Sequence, residues 1–487
     1  MSQGVAALTY AVRPLVVAKY IGQLAVMLAI LSLAPLGASL LFGEYALAMR
    51  HAIVIVALLA VAAPTAGLPA PAQVQVNEAL SVAALAFVLA ALQAVYPMTG
   101  AGLSIADALF ESVSAVTTTG LTTLASVEDK PRAFLFARAW MQWYGGLGIA
   151  VLSVALLMGH HVAARRLADT TRDESLVTTA RTYARRILLV YAALTLLGFA
   201  VVWLSLHDGF AALTHVLSAI STGGFSVYDR SLAEISQWPG RLFIMALTFL
   251  GAIPLVLYYK LYHGGWREFL QDVEIRALLA AVLIVSIVLT LLIHAEGTWS
   301  WREAGSHAML LGVSAQTTAG FTSTDITQLD NGSKLVLIFA MCIGGGVGST
   351  AGGIKLLRVL ILLRIAQLAL RRTALSSHAV ADARLGGRPL TDDDLAKVIV
   401  LLTLFAGLVV VSWLVFVIYG YPPLDGLFEV VSAVGTVGLS TGITTQELPS
   451  LLKAVLCADM LLGRVEILAL LIVLYPRTWM GKRRESQ

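Results

Sequence analysis

The chain has 487 residues, of which 58% are hydrophobic and only 13% charged, with a formal net charge of +4 and a mean hydropathy of +0.83. Soluble domains carry about 25% charged residues, so this composition excludes a soluble enzyme. The basic excess does not point to nucleic acid, because the Lys and Arg residues fall in segments between apolar runs.

In chain order, apolar runs long enough to span a bilayer, about 20 residues each, lie near 16–42, 47–69, 78–97, 133–159, 184–206, 240–262, 276–296, 335–366, 396–419 and 449–476. The first is too long for a signal-peptide core and lacks a small-residue cleavage site, so it reads as a true span. Cys342 and Cys457 fall inside predicted spans and read as packed thiols rather than a disulfide or metal site. With the amino terminus inside, 23 of the 33 Lys and Arg residues lie in inner segments and eight in outer ones. That bias predicts both termini on the cytoplasmic side.

Between these spans one signal recurs four times: Ser114–Gly120 (SAVTTTG), Ser218–Gly224 (SAISTGG), Ser314–Gly320 (SAQTTAG) and Ser432–Gly438 (SAVGTVG). All four copies fall on the outer side of the predicted topology, so each reads as a short helix and loop that enters and leaves from outside. Residues 107–123 and 425–441 agree at twelve of seventeen positions without a gap, including Asp107/Asp425 and Glu111/Glu429. The expected fold is an all-α integral membrane protein with four pseudo-repeats of helix, pore helix, filter loop and helix around a central pore. The division expected is two amino-terminal helices (1–72), then repeats at 73–170, 171–270, 271–380 and 381–487, the last with a short cytoplasmic tail.

Non-helical backbone at membrane depth is tolerated where it lines a cavity or is buried in protein. A dehydrated cation needs oxygens to replace its water, and backbone carbonyls supply them without a formal charge. The candidate filter is therefore Thr118, Thr119, Gly120; Thr222, Gly223, Gly224; Thr318, Ala319, Gly320; and Thr436, Val437, Gly438. Glycine reaches the required dihedrals at little cost, small neighbours let the backbones converge, and no Asp or Glu lies between each Ser and its Gly. This is not the carboxylate ring of a divalent-cation pore.

Later in the chain, Gly344, Gly345, Gly346, Gly348, Gly352 and Gly353 interrupt the eighth span. Each glycine is disfavoured by roughly 0.8–1 kcal/mol relative to Ala in a helix, so the span is expected to break into halves around a gate loop that also includes Ser349, Thr350 and Lys355. Ser349 and Thr350 can cap the second half or offer hydroxyls to an ion. A nucleotide P-loop needs Gly-Lys-Ser/Thr in succession, and Ile354 separates Gly353 from Lys355. In the tenth span, Arg464 either bars cations electrostatically below the filter or pairs with Glu466 to orient helices. Arg138, near the outer start of its span, reads as snorkelling, and Pro254 is expected to kink the sixth span.

The four loops, WYGGLGI at 143–149 and GGGVGSTAGGIKLLR at 344–358 together resemble the Trk/Ktr/HKT superfamily of potassium transporters, over nearly the whole chain. The two extra amino-terminal helices resemble the TrkH-type membrane subunit of bacterial Trk systems; the fourth loop, GTVGLSTGIT at 435–444, looks more like the Ktr branch. The resemblance implies K+ uptake across the bacterial cytoplasmic membrane, with K+ coordinated by the filter glycines, because a Ser at the first of these positions goes with sodium transport. It also implies that 344–353 obstructs the pore until activation and that Arg464 faces the pore. It implies a homodimer resting on cytosolic TrkA-type subunits that bind NAD(H) or ATP-type nucleotides, with no nucleotide on this chain. The basic segments 160–186 and 364–397 are either the docking surface or ordinary positive-inside charge.

Two other classes are weaker. A K+ symporter coupled to Na+ or H+ should carry mid-membrane carboxylates, and the spans read as almost free of them apart from Glu466. A Na+-permeable homologue would depart from glycine at the filter. A membrane enzyme needs a catalytic cluster, and His160, His161, His215, His294 and His307 share no spacing.

Overall fold

The computed structural model describes residues 11–69, 74–158, 176–297, 299–374, 384–385, 388–465 and 467–480. Of the basic segments 160–186 and 364–397 that carry the docking expectation, residues 160–175, 375–383 and 386–387 lie outside the described residues, as does Glu466. The chain folds as α1 (Pro14–Leu31), α2 (Leu33–Leu41), α3 (Tyr45–Thr65), α4 (Val76–Met98), α5 (Ile105–Val116) and α6 (Arg132–Met158). There follow α7 (Leu176–Leu206), α8 (Gly209–Ile220), α9 (Trp238–Ala252), α10 (Leu255–Leu270), α11 (Val273–Ala295) and α12 (Trp301–Gln316). The last helices are α13 (Asn331–Cys342), α14 (Leu356–Ala374), α15 (Asp392–Ile418), α16 (Pro423–Val434), α17 (Ser450–Arg464) and α18 (Leu468–Leu474). The strands among the described residues are a two-residue antiparallel pair, Arg384 opposite Pro389 and Leu385 opposite Arg388.

Helices prevail because lipid offers no partner to backbone N–H and C=O groups. Six spans are long and apolar enough by themselves to cross a bilayer: 14–41, 45–65, 76–101, 182–206, 273–295 and 394–418. These are the two amino-terminal spans and the four that lead into short helices. Their surfaces are largely exposed on the isolated chain, with 22–39% of each window buried, as lipid-facing helices should be.

The short helices α5, α8 and α16 have 12 residues and α12 has 16. At about 1.5 Å per residue, 12 residues cover about 18 Å, too little for a bilayer core of about 30 Å. Each therefore enters and turns back. Three start at side-chain caps: Ser104 accepts from Asp107 N, Asp208 from Phe210 N and Ala211 N, and Ser300 from Glu303 N. The fourth starts at Pro422–Pro423, with proline at the first helical position.

Each short helix packs between the long helices that precede and follow it. Each return helix also packs on the next short helix: α6 on α8, α9 on α12, α13 on α16, and α17 back on α5. The series closes on itself. Ion pairs reinforce two of these joints: Lys334 of α13 reaches Asp425 of α16 at 2.9 Å, and Lys453 of α17 reaches Asp107 of α5 at 2.6 Å. We expect Lys334→Met to lower stability by about 1.5–3 kcal/mol, the range for hydrogen bonds to charged groups. Thermal unfolding in detergent, run as a double-mutant cycle with Asp425→Asn, measures the coupling.

Three of the four return helices are broken along their length. The α9–α10 break falls at Ile253–Pro254, as proline predicts, and the α13–α14 break spans 343–355, as the glycines predict. The third, between α17 and α18, corrects the expectation of an unbroken tenth span. Val465 leaves helical geometry and Ile467 has φ 32°. No Pro marks that break, and its one neighbouring glycine is Gly463. The first span also divides at Ser32, whose hydroxyl donates back to the Leu28 carbonyl.

Candidate functional site: a ring of four glycine loops

The four Ser-Ala-x4-Gly segments form one local structure repeated four times. In each, the residue before the glycine donates its N–H to the Ser carbonyl: Thr119 to Ser114, Gly223 to Ser218, Ala319 to Ser314 and Val437 to Ser432, all at 2.8–2.9 Å. In repeats one and four the Ser hydroxyl also accepts from the glycine N–H, at 3.1 Å for Gly120 and 3.0 Å for Gly438. The motif's Ser is thus a brace.

Two residues of each loop take left-handed backbone. The glycines Gly120, Gly224, Gly320 and Gly438 have φ of 90°, 79°, 75° and 95°, and Thr118, Thr222, Thr318 and Thr436 have φ of 54°, 51°, 55° and 49°. The glycines were expected to do so; the threonines were not. A non-glycine residue in this region is disfavoured by roughly 1–2 kcal/mol, and here the same departure occurs at four equivalent positions. Such repetition marks a site rather than an accident of packing.

The loops meet edge to edge. A Cβ added to Gly120 would strike the Gly223 carbonyl oxygen, one on Gly224 the Ala319 oxygen, one on Gly320 the Val437 oxygen, and one on Gly438 the Thr119 oxygen. The order runs one, two, three, four and back to one. Eight of the twelve candidate positions named from sequence, Thr119, Gly120, Gly223, Gly224, Ala319, Gly320, Val437 and Gly438, are thereby brought together in one ring. On one side the glycines border a cavity of about 390 Å³ that also touches Thr122, Tyr228, Asp229 and Ser440. On the other side lie the buried threonine side chains. The Thr118 and Thr436 hydroxyls have no hydrogen-bond partner among the described residues.

Directly beneath is the glycine-rich segment 343–355. Gly352 N donates to Thr318 Oγ1 at 2.7 Å, and a Cβ on Gly352 would meet Thr436 Oγ1. Thr350 Oγ1 lies 3.0 Å from the carbonyls of Ile220 and Gly251, and Thr350 N donates to Gly251 O at 3.1 Å. Gly346 N donates to Ala252 O, Leu255 N to Gly348 O, and Val347 N to Glu274 Oε2 at 2.8 Å. Pro254 now has a structural meaning. By ending α9 it frees the Gly251 and Ala252 carbonyls, and the segment's N–H groups occupy them. Ser349 Oγ donates to Gly346 O, Lys355 Nζ to Ala351 O, and Gly344 and Gly345 bond across the base of the segment to Ile354 and Leu356, with Gly353 (φ 62°) turning the chain between them.

Arg464 is buried at the end of α17, and its Nη1 donates to the Thr350 carbonyl at 2.8 Å. Among the described residues, Nε and Nη2 have no hydrogen-bond partner and no carboxylate pairs with this guanidinium.

Arg138 corrects the snorkelling reading. It is 2% exposed, forms an ion pair with Glu111 at 2.9 Å, and lies 3.7 Å from the Phe225 ring centroid. Glu111 also accepts from Thr122 Oγ1 and Thr123 N, so this pair ties α6, α5 and the first two loops together. Its counterpart Glu429 is held instead by Ser440, Thr441 and Thr444. The view that the spans carry hardly any carboxylate besides Glu466 is also corrected. Asp459 sits inside α17, 1% exposed, accepting from Ser412 Oγ of α15 at 2.7 Å.

The comparisons agree with this architecture. The TrkH family model, described as a cation transport protein, matches residues 49–478. The chain is 30% identical over 387 residues to the Trk system potassium uptake protein TrkH of Escherichia coli, covering 77% of this chain and 80% of that one. It is 33% identical over 391 residues to the Trk system potassium uptake protein TrkI of Halomonas elongata, covering 77% and 78%. The crystal structure of the potassium transporter TrkH from Vibrio parahaemolyticus superposes with a TM-score of 0.86 at 26% identity, over 96% of this chain and 100% of that one. With a family match over most of its length and a shared fold, the chain belongs to the TrkH family of cation transport proteins.

Proposed function

We propose that this protein takes up potassium across the bacterial cytoplasmic membrane through a channel-like pore whose selectivity filter is the ring of four glycine loops. The observation that carries this reading is the closed cycle of close approaches from Gly120 to Gly223, Gly224 to Ala319, Gly320 to Val437 and Gly438 to Thr119. Such a ring offers uncharged carbonyl oxygens from every side to a cation that has shed its water. The printed names of the Escherichia coli and Halomonas elongata relatives, both potassium uptake proteins, support K+ as the transported ion.

In this reading the segment 344–353 is the gate, closed by its bonds to the filter threonine Thr318, to the α9 break and to Arg464. Arg464 adds a positive charge on the path below the filter. The excess of Lys and Arg in inner segments supports cytoplasmic termini. A homodimer seated on a TrkA-type cytosolic subunit, with nucleotide bound by that partner, follows from the family resemblance.

Reconstituted protein should accumulate K+ or Rb+ in proteoliposomes down an imposed potential, with or without a sodium gradient. Uptake that requires the sodium gradient would replace the channel reading with a symporter. Deleting residues 347–350 should raise K+ flux and reduce dependence on a partner. A deletion that folds, reaches the membrane and conducts no better than the parent would remove the gate from this reading.

A further inference from the structure

We infer that Gln142, on return helix α6, is a positioning residue for the filter that sets cation selectivity from outside the four loops. The inference rests on reading the glycine ring as the ion path. Gln142 is fully buried, its Nε2 donates to the Gly223 carbonyl, and its Oε1 accepts from Phe225 N at 3.2 Å. The amide thus clamps the second loop on both sides of Gly224. The opposite amide orientation would set acceptor against acceptor and donor against donor, so both bonds fix one arrangement.

Two features of the second loop depart together from the fourfold pattern. The position before the ring glycine is Thr119, Ala319 or Val437 in the other loops and Gly223 here. A Cβ on Gly223 would run into the Gln142 carboxamide, so the amide occupies the room that a side chain fills elsewhere. Three of the four return helices otherwise correspond. Gly145, Gly251 and Gly463 each pack where a Cβ would meet the last carbonyl of their own short helix, at Val116, Ile220 and Val434. Three residues before those glycines stand Gln142, Thr248 and Met460. The amide reaches the ring in the first repeat. Thr248 donates to Met245 O, and Met460 has no hydrogen-bonding group to offer a carbonyl.

The consequence is chemical. Among the described residues, the carbonyls of Thr119, Ala319 and Val437 receive no side-chain donor, whereas that of Gly223 does. A donated hydrogen bond holds that oxygen at a fixed angle and draws part of its electron density away from the axis. Without it, the ring gains one freely tilting, stronger-field oxygen. Such an oxygen can close in on a smaller cation, so discrimination between K+ and Na+ should fall.

The test compares wild-type protein, Gln142→Met, the double variant Gln142→Ala/Gly223→Ala, and Gly120→Ser, each reconstituted in full length. The readouts are the K+/Na+ permeability ratio and the rise in thermal-unfolding midpoint on adding KCl. Gln142→Met keeps the volume and removes the donor; the double variant refills the space with a methyl group, as Ala319 does in the third loop. Both should lose roughly fivefold in permeability ratio, about the worth of one hydrogen bond, and show a smaller difference between KCl and NaCl in protection. A normal ratio in a folded Gln142→Met or double variant, with a reduced ratio in Gly120→Ser, would overturn the role of Gln142 and leave the ring intact. Unchanged ratios in all of them would overturn the ring and with it this inference. Failure of both Gln142 variants to fold would make the amide a structural strut and overturn the inference as well.

Discussion

Gly120→Ser should lower the K+/Na+ permeability ratio about tenfold or more while leaving the protein in the membrane. Two effects act together at this position. Gly120 has φ 90°, where an L side chain is strained, and a Cβ there would strike the Gly223 carbonyl of the neighbouring loop. The backbone term alone is roughly 1–2 kcal/mol, and about 1.4 kcal/mol of differential ion binding is a tenfold change. The collision adds a displacement of a filter oxygen, which acts on the difference between ions rather than on folding. Gly102→Ser separates the two effects. Gly102 has φ 86°, but a Cβ there meets nothing within 4 Å. That control should lose some stability and keep its selectivity. Rubidium uptake measured against increasing external sodium checks both variants, and equal sodium sensitivity in Gly120→Ser and wild type would remove the ring from the ion path.

Much of this site was legible in the sequence because it repeats. Hydropathy gives the spans, the phase of the four motifs gives their common side, and glycine composition gives a break at 344–353, which the structure extends to 343–355. What escaped is what depends on the rotation of one helix against another. Arg138 pairs with Glu111 across 27 positions, and a reading that sees only its depth in the span takes it for a snorkelling charge. Gln142 is a single polar residue in a run whose average hydropathy hides it. Asp459 was missed for the same reason; its partner Ser412 lies 47 positions away on α15. The left-handed threonines had no signal at all, because threonine is not a residue that advertises positive φ. Pro254 predicted its own kink but not the use of it, since the freed carbonyls acquire meaning only when Thr350 and Gly346 lie against them. The break after Arg464 has one glycine beside it, Gly463, but that single residue inside an apolar run gives no signal comparable to the six glycines of 344–353.

Arg464→Gln should raise K+ flux per folded molecule by orders of magnitude and leave selectivity unchanged, because the ring lies above this residue. A unit charge about 4 Å from a permeating K+ opposes it by about 4 kcal/mol at an effective dielectric near 20, and about 1.36 kcal/mol of barrier is a tenfold change in rate. The geometry adds a second contribution. Nη1 holds the Thr350 carbonyl at 2.8 Å, and Thr350 is itself bonded to Gly251, so the guanidinium helps keep the glycine-rich segment under the ring. Gln retains an N–H for that carbonyl and loses the charge; Lys retains the charge and offers a single ammonium. If electrostatics governs, Arg464→Gln is fast and Arg464→Lys remains slow. If the hydrogen bond to the segment governs, Arg464→Gln, which keeps an N–H for Thr350, stays slow, and Arg464→Lys is fast wherever its shorter reach fails to hold that carbonyl. The competing account is an ion pair with Glu466, in which removing the Arg strands a buried carboxylate at a cost of about 3–5 kcal/mol. That account predicts a variant that is unstable, poorly expressed and no faster, with stability recovered by Glu466→Gln. Flux normalised to monodisperse protein, set beside the unfolding midpoint of each variant, decides between them. Among the described residues the buried guanidinium is held by the Thr350 carbonyl and by no carboxylate, and the fast, stable Gln variant is the outcome that geometry predicts.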